Sequence, residues 1–316
     1  MKRLEDGDGR PELLALRALK LGDLLVAVPA LHALRRGFPD HRMVLAVPGW
    51  LEPIAELVPA DALLPTPGLD DPLPVPASRI DVAVNLHGNG GESAALLRAL
   101  EPRRRLCHDT FGDEGPPWVD GILERKRWLR LVDWHGCPGD VDEVAIADPG
   151  PGPHAGAAVV HVGAFYGSRL WPADRFAAVA RSLRDRGLEV VLTGGAAEAE
   201  RSAHVAALAG LPGSAVLAGR IDLRDMASAA AHAAILVSVD TGAAHLASAF
   251  GTPSVVLFGP APPEEWGPPP GPHVVLTDPA LRVGDSFGTE PDPALLAVTV
   301  GDVLDAADRL LAAPRL

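Results

Sequence analysis

Residues 235–259 read ILVSVDTGAAHLASAFGTPSVVLFG. A short β-branched run, Ile235 to Val239, meets Asp240-Thr241-Gly242. Helix formers then continue to Phe250, and a Gly-Thr-Pro break leads into a second apolar run ending at Gly259. Short apolar runs bounded by turn residues read as buried strands, so the segment predicts strand, turn, helix and strand in 25 residues. Upstream the same rhythm recurs: AAVVHVG at 157–163, a helix over 174–187, LEVVLTG at 188–194, a helix over 198–210, AVLAG at 215–219 and a helix over 223–233. Strands alternating with helices of this length predict an α/β protein with a doubly wound parallel sheet and right-handed crossovers.

The amino-terminal half carries a shorter version of the pattern. A strand from Leu13 is followed by a turn at Leu21 to Asp23 and a helix with Leu24, Val28, Leu31 and Leu34 on one face. MVLAVP after Met43 and DVAVNL after Asp81 read as further strands. Between them six prolines, at 59, 65, 67, 72, 74 and 76, predict a surface loop. A helix is expected over 119–134. Asp148-Pro-Gly-Pro-Gly-Pro153 sustains neither helix nor strand and reads as an interdomain linker. The expected domains are therefore 1–150 and 151–316, each Rossmann-like, facing a cleft where ligands bind beyond the strands' carboxyl ends. The last amphipathic stretch, 298–312, reads as a helix able to pack back on the first domain.

Composition narrows the function. The 316 residues carry 28 Lys and Arg against 41 Asp and Glu, a net charge of −13, so no broad basic field exists to hold nucleic acid. Hydrophobic residues at 47% and charged residues at 22% describe a packed globular chain. The two cysteines, Cys107 and Cys137, form no CxxC pair and fit a reducing compartment. MKRLEDGDGRPELL at the start lacks the apolar run of a signal peptide, and no stretch reads as a membrane span. A cytoplasmic protein, or one peripheral to the inner membrane face, is the expectation.

Three loops of the second half end predicted strands. At Asp240-Thr241-Gly242 the amides that open the next helix suit a diphosphate, with His245 one turn along. The bland alternative is an N-cap aspartate beside a surface histidine. In His161-Val-Gly163-Ala-Phe-Tyr-Gly-Ser-Arg169-Leu-Trp171, Arg169 suits phosphate oxygens or is a solvated loop cation, and Trp171 reads as core. Thr193-Gly194-Gly195-Ala-Ala-Glu198 offers an acid to ribose hydroxyls or to the first turn of a helix. In the first half, Asp23 after Gly22 is placed for general-base work or is a helix cap. Asn85-Leu-His87-Gly88 ends another strand with polar groups for an acceptor, or is only a turn. Asp140-Val-Asp142 has the spacing of a metal motif but follows Cys-Pro-Gly rather than a strand, so no metal is assigned. Neither GxGxxG nor a Walker A sequence occurs, which removes dehydrogenase and kinase readings. Arg103-Arg-Arg105 reads as a solvated face.

With these residues in hand the chain resembles glycosyltransferase family 9, the ADP-heptose:lipopolysaccharide heptosyltransferases and their relatives. The resemblance rests on LGDLL with AVPAL at Leu21 to Leu31, VNLHG at Val84 to Gly88, RLWP at Arg169 to Pro172, TGG at Thr193 to Gly195, LAGRIDL at Leu217 to Leu223, and DTGAAHLASAFGTP with VLFGP from Asp240 to Pro260. It implies a GT-B architecture and an inverting, metal-independent transfer from a nucleotide-diphosphate sugar, ADP-heptose among the candidates. It also implies no further cofactor, and a glycan, lipid-linked or small-molecule acceptor. Carried onto this sequence, Asp23 is the base. Gly163, Arg169, Thr193, Gly194, Gly195, Glu198, Leu217, Gly219, Asp240, Thr241, Gly242 and His245 form the donor side, and Gly22, Asn85, His87 and Gly88 the acceptor side. Arg169 stands where the family often has Lys, and Val162 where it often has Pro. A sugar-nucleotide 2-epimerase of the same fold and a non-catalytic nucleotide-sugar binder are the alternatives.

Overall fold

Fully buried apolar side chains on short strands organise both halves of the chain, each large one contributing roughly 1.5–3 kcal/mol on leaving water. The structure, a computed structural model, describes residues 2–3 and 8–313. The reading of the amino terminus rests partly on residues 1 and 4–7, which lie outside them. Two units are found, residues 1–147 and 148–316.

In the first unit the elements run β1 (Lys2–Arg3), β2 (Glu12–Leu16), α1 (Leu21–Val26), α2 (Val28–Gly37), β3 (Arg42–Val47), α3 (Glu52–Ala55), β4 (Ala62–Pro65), β5 (Ile80–Asn85), α4 (Gly91–Ala99), β6 (Arg104–Leu106) and α5 (Glu124–Trp134). The sheet is parallel, in the order β1-β4-β3-β2-β5-β6. One face is closed by Leu14, Leu16, Val44, Ala46, Leu64 and Leu97.

The second unit runs β7 (Ala158–His161), α6 (Ala173–Asp185), β8 (Val190–Thr193), α7 (Ala199–Ala209), α8 (Leu223–Ala231), β9 (Ile235–Val239), α9 (Gly242–Phe250), β10 (Ser254–Leu257), α10 (Pro263–Trp266), β11 (His273–Leu276), α11 (Pro293–Leu296) and α12 (Val300–Ala312). Its parallel sheet has the order β11-β10-β9-β7-β8. Val160, Val237 and Leu257 point into one core with Phe176, Val205 and Val303, while Val256 and Phe258 pack with Ala244 in another. Apolar residues thus fill both faces, as the unbroken apolar runs require.

Several expectations change. Leu21 to Asp23 is the first turn of α1 rather than a loop. The proline-rich stretch contains strand β4, because Ala62 to Pro65 pair with Val44 to Val47 of β3. AVLAG joins the sheet only through a Leu192–Val216 bridge, and β11 takes the opposite edge. The expected helix over 119–134 begins at Glu124. Arg103 and Arg104 are exposed, as a solvated face requires, but Arg104 and Arg105 also form β6, and Arg105 pairs with buried Asp113 at 2.6 Å. The carboxy-terminal helix α12, capped by Thr299, packs on α6 and strands β9 to β11 of its own unit.

Candidate functional site

Carboxyl ends of β7, β8 and β9 are neighbours because β7 pairs with both others, so the loops that follow them form one cluster. Asp240, the residue after β9, is buried, and Arg169 Nη1 donates to its Oδ2 at 3.0 Å. His245 Nε2 lies 3.7 Å from the other oxygen, Oδ1. Residues from two separate motifs, Arg169 from one and Asp240 and His245 from the other, therefore meet at one carboxylate. Thr241 is the N-cap of α9, and its hydroxyl lies 2.9 Å from Ser238 Oγ. Its carbonyl accepts from Ala244 and His245 at 3.0 and 3.3 Å, which leaves the Gly242 and Ala243 amides ahead of the helical ladder. Amides so placed, with the helix dipole behind them, favour an anion.

Around Glu198 the sequence needs glycine. A Cβ on Gly163 would sit 2.7 Å from Glu198 Cγ, one on Gly194 2.9 Å from Glu198 Cβ, and one on Gly195 2.8 Å from Glu198 Oε2. Glu198, at the start of α7, thus rests in a slot made by two glycine loops. Gly219 has φ +69°, and its N–H donates to the Gly194 carbonyl at 3.2 Å, tying the 217–219 turn to the same slot. Leu217 is buried and bonds through its N–H to Leu192. Thr193 is fully buried, 3.1 Å from His161 Nδ1, and burial pushes the His161 imidazole down to about 4. Arg201, absent from the sequence reading, donates from Nε to Val162 at 2.8 Å and from its guanidinium to the Trp171 carbonyl, bracing the 162–171 loop. Trp171 is core, its indole donating to Val298 at 3.1 Å.

The first unit holds its own cluster at the ends of β2 and β5. Gly22 and Asp23 lie in the first turn of α1, and Asp23 Oδ2 accepts from the Lys20 N–H at 3.2 Å. Asp23 remains a quarter exposed. Arg17, buried and also missed from sequence, brings Nη2 to 3.7 Å from Asp23 Oδ1. Asn85 is buried and both its side-chain groups are bonded: Nδ2 donates to Ser93 Oγ of α4 at 3.0 Å and Oδ1 accepts from the His87 N–H at 3.1 Å. His87 is driven down to about 4, by burial first and then by the Arg17 charge, with Asp23 opposing. A Cβ on Gly88 would meet nothing, so that stretch of backbone is open. Asp142, of the DxD pair, bonds Arg125 at 3.2 Å. Among the described residues no group of three or more His, Cys, Asp or Glu side chains is placed to hold a metal ion.

The family model of glycosyltransferase family 9 (heptosyltransferase) matches residues 145–277, the span that carries β7 to β11 and the loops just described. This chain is glycosyltransferase family 9-like. Lipopolysaccharide heptosyltransferase 1 of Pseudomonas aeruginosa is 40% identical to the family 9-like chain over 157 residues. That alignment covers 46% of this chain and 42% of the relative's length. Two solved structures share the fold of the family 9-like chain. The glycosyl transferase family 9 protein of Veillonella parvula has a TM-score of 0.77 at 20% identity, covering 96% of this chain and 97% of that one. The Escherichia coli ADP-heptose lps heptosyltransferase II has 0.76 at 19%, covering 95% and 98%. Across both units, therefore, the family 9-like chain has the GT-B type of fold. No described helix is long and apolar enough to cross a membrane.

Proposed function

We propose that this chain is an inverting glycosyltransferase that moves a heptose-like sugar from a nucleoside-diphosphate donor, ADP-heptose first among the candidates, to a hydroxyl acceptor without a metal ion. The observation that carries the reading is the convergence of Arg169, Asp240, His245 and the α9 amides at the ends of β7 and β9, in the span matched by the family. The choice of donor and acceptor class is supported by relatives described as ADP-heptose and lipopolysaccharide heptosyltransferases.

In this reading Gly242, Ala243 and Thr241 take the diphosphate, Arg169 adds a fork of donors, and Glu198 in its glycine slot accepts the ribose hydroxyls. Leu217 and Gly219 line the nucleoside, and Thr193, Gly194 and Gly195 shape the loop beneath it. Asp23 takes the acceptor's proton. In the transfer itself the acceptor oxygen bonds to the anomeric carbon while the bond from that carbon to the diphosphate oxygen breaks. The proton goes to Asp23 and the electron pair leaves with the nucleoside diphosphate. A sugar alcohol is a weak nucleophile at neutral pH, so a positioned base is worth roughly 10²–10⁴-fold. Negative charge building on the leaving group is met by donors already oriented, each worth about 3–4 kcal/mol in comparable sites. His87, neutral above pH 4, and Gly88 offer polar contacts to the acceptor.

The test is ADP release from ADP-heptose with heptose-free deacylated lipopolysaccharide as acceptor, in the presence and absence of EDTA. Acceptor-dependent release unaffected by EDTA is expected. Release that needs a divalent ion would overturn the metal-free step, and consumption of UDP-N-acetylglucosamine with no acceptor would favour epimerisation.

A further inference from the structure

Arg17 follows the last residue of β2 and is 1% exposed. Burying a guanidinium costs several kcal/mol unless its donors and charge are met, so its surroundings show what it is for. Nε donates to the Asp23 carbonyl at 2.8 Å and Nη1 to the Leu86 carbonyl. One side chain therefore clamps the first turn of α1, which carries Asp23, to the β5–α4 loop that carries His87. Nη2 stands 3.7 Å from Asp23 Oδ1, and the guanidinium carbon lies 4.4 Å from the centre of the Trp128 ring. Trp128 is fixed in turn. Its indole donates to Glu124 Oε2 at 3.1 Å, and Glu124 Oε1 pairs with Arg127 at 2.7 Å. Its ring also meets Trp118 edge-on at 6.0 Å. Burial lowers the Arg17 pKa, and the Asp23 and Glu124 carboxylates oppose that shift.

Binding two carbonyls needs only a neutral amide. A cation stacked on an indole and aimed at a carboxylate needs charge. We infer that Arg17 is a positioning residue for Asp23, holding the carboxylate in one orientation through a fixed positive charge at Oδ1 and a clamp on the turn behind it. With Oδ1 facing Arg17 and Oδ2 bonded to the Lys20 amide, only the outward lone pairs of Asp23 remain for an incoming hydroxyl. The inference rests on Asp23 being the base of the proposed transfer.

Two measurements test it. In the ADP-release assay, with rates expressed per ADP-binding site counted by calorimetry, Arg17→Gln lowers kcat about 100-fold and Arg17→Lys about tenfold. Both leave KM for ADP-heptose within about twofold, because the donor groups lie in the other unit. A side chain that only supported the fold of the first unit would lower kcat in proportion to the fraction of Arg17→Gln unfolded in the urea titration, and no further. The second measurement is a urea denaturation cycle of Arg17→Gln, Asp23→Asn and the double variant. Asp23→Asn lowers the midpoint of the parent chain but not that of Arg17→Gln. An Arg17→Gln rate per site within about twofold of the parent overturns the inference, as does an equal midpoint loss in both backgrounds. Should Asp23→Asn itself turn over normally, the base reading falls while the denaturation cycle still decides the pair. If the parent chain releases no ADP from these substrates, the cycle decides alone.

Discussion

Arg169 and Asp240 are joined 71 residues apart in sequence, with Nη1 at 3.0 Å from Oδ2, so the cation of the β7–α6 loop is fastened to the carboxylate that follows β9. In the proposed donor site, a diphosphate at the α9 amides would meet this guanidinium. Charge-assisted bonds of this type are worth about 1.5–3 kcal/mol, so Arg169→Ala is expected to weaken ADP binding about 10- to 100-fold by calorimetry. The variant also removes the Arg169 bond from the buried Asp240 carboxylate and lowers the melting temperature. Arg169→Ala combined with Asp240→Asn separates the two effects: stability recovers and ADP binding stays weak. An unchanged Kd in Arg169→Ala would remove Arg169 from the donor site.

Gly163 offers a steric test of the Glu198 slot. Alanine there would place its Cβ 2.7 Å from Glu198 Cγ and push the acid out of position. The expected result is a loss of about tenfold in ADP affinity, while a nucleotide analogue without ribose hydroxyls loses nothing further. Equal losses for both ligands would mean that the slot serves only to pack the loop. Gly219→Ala makes a different case, since its φ of +69° strains any residue with a Cβ. That variant should lose about 1 kcal/mol of stability in urea titration.

Stability should fall as the solution is acidified, and His161 gives the sign. Its imidazole titrates at about 4 in the folded protein against 6.5 for the free side chain, with burial as the cause. Between these values the unfolded chain binds the extra proton, so unfolding becomes easier as pH falls. The loss begins near pH 6.5, grows by up to about 1.4 kcal/mol per pH unit, and is complete below pH 4. His87 and His273 shift the same way and steepen the slope. His161→Gln keeps a partner for Thr193 and removes one titrating group. Urea titrations at pH 7 and pH 5 should therefore show a shallower pH dependence in the variant, and an unchanged slope would contradict the account.

Local patterns carried most of the fold. Each β-branched run of the second unit that ends in a glycine or polar turn is a strand, except AVLAG. Two of its five residues are alanine and one is glycine, too little side chain to hold a ladder position once β8 has paired with β7. β4 was hidden because prolines mark loops on average, whereas Pro65 sits at the last position of an edge-side strand, where its missing N–H interrupts nothing. Arg169, Asp240, Thr241 and His245 were legible because they follow strands of one sheet, and strand order brings such loops together. Arg17, Arg201 and Trp128 were not. Arg17 looks like any cation after a strand until Leu86 and Trp128, 69 and 111 residues away, close around it. Asn85 was legible as a polar strand end, but only the fold shows its side chain spent on the His87 N–H and on Ser93 of α4.

The carboxylate of Asp23 is the part of the account on which transfer depends, and one substitution isolates it. Asp23→Asn keeps the size of the side chain and its acceptance of the Lys20 amide while removing the base. Calorimetry with ADP and the ADP-release assay on the same preparation should give a Kd within about twofold of the parent chain and a rate lower by about a thousandfold. Release within about tenfold of the parent, with ADP still bound, would contradict the assignment of the base and the transfer mechanism built on it.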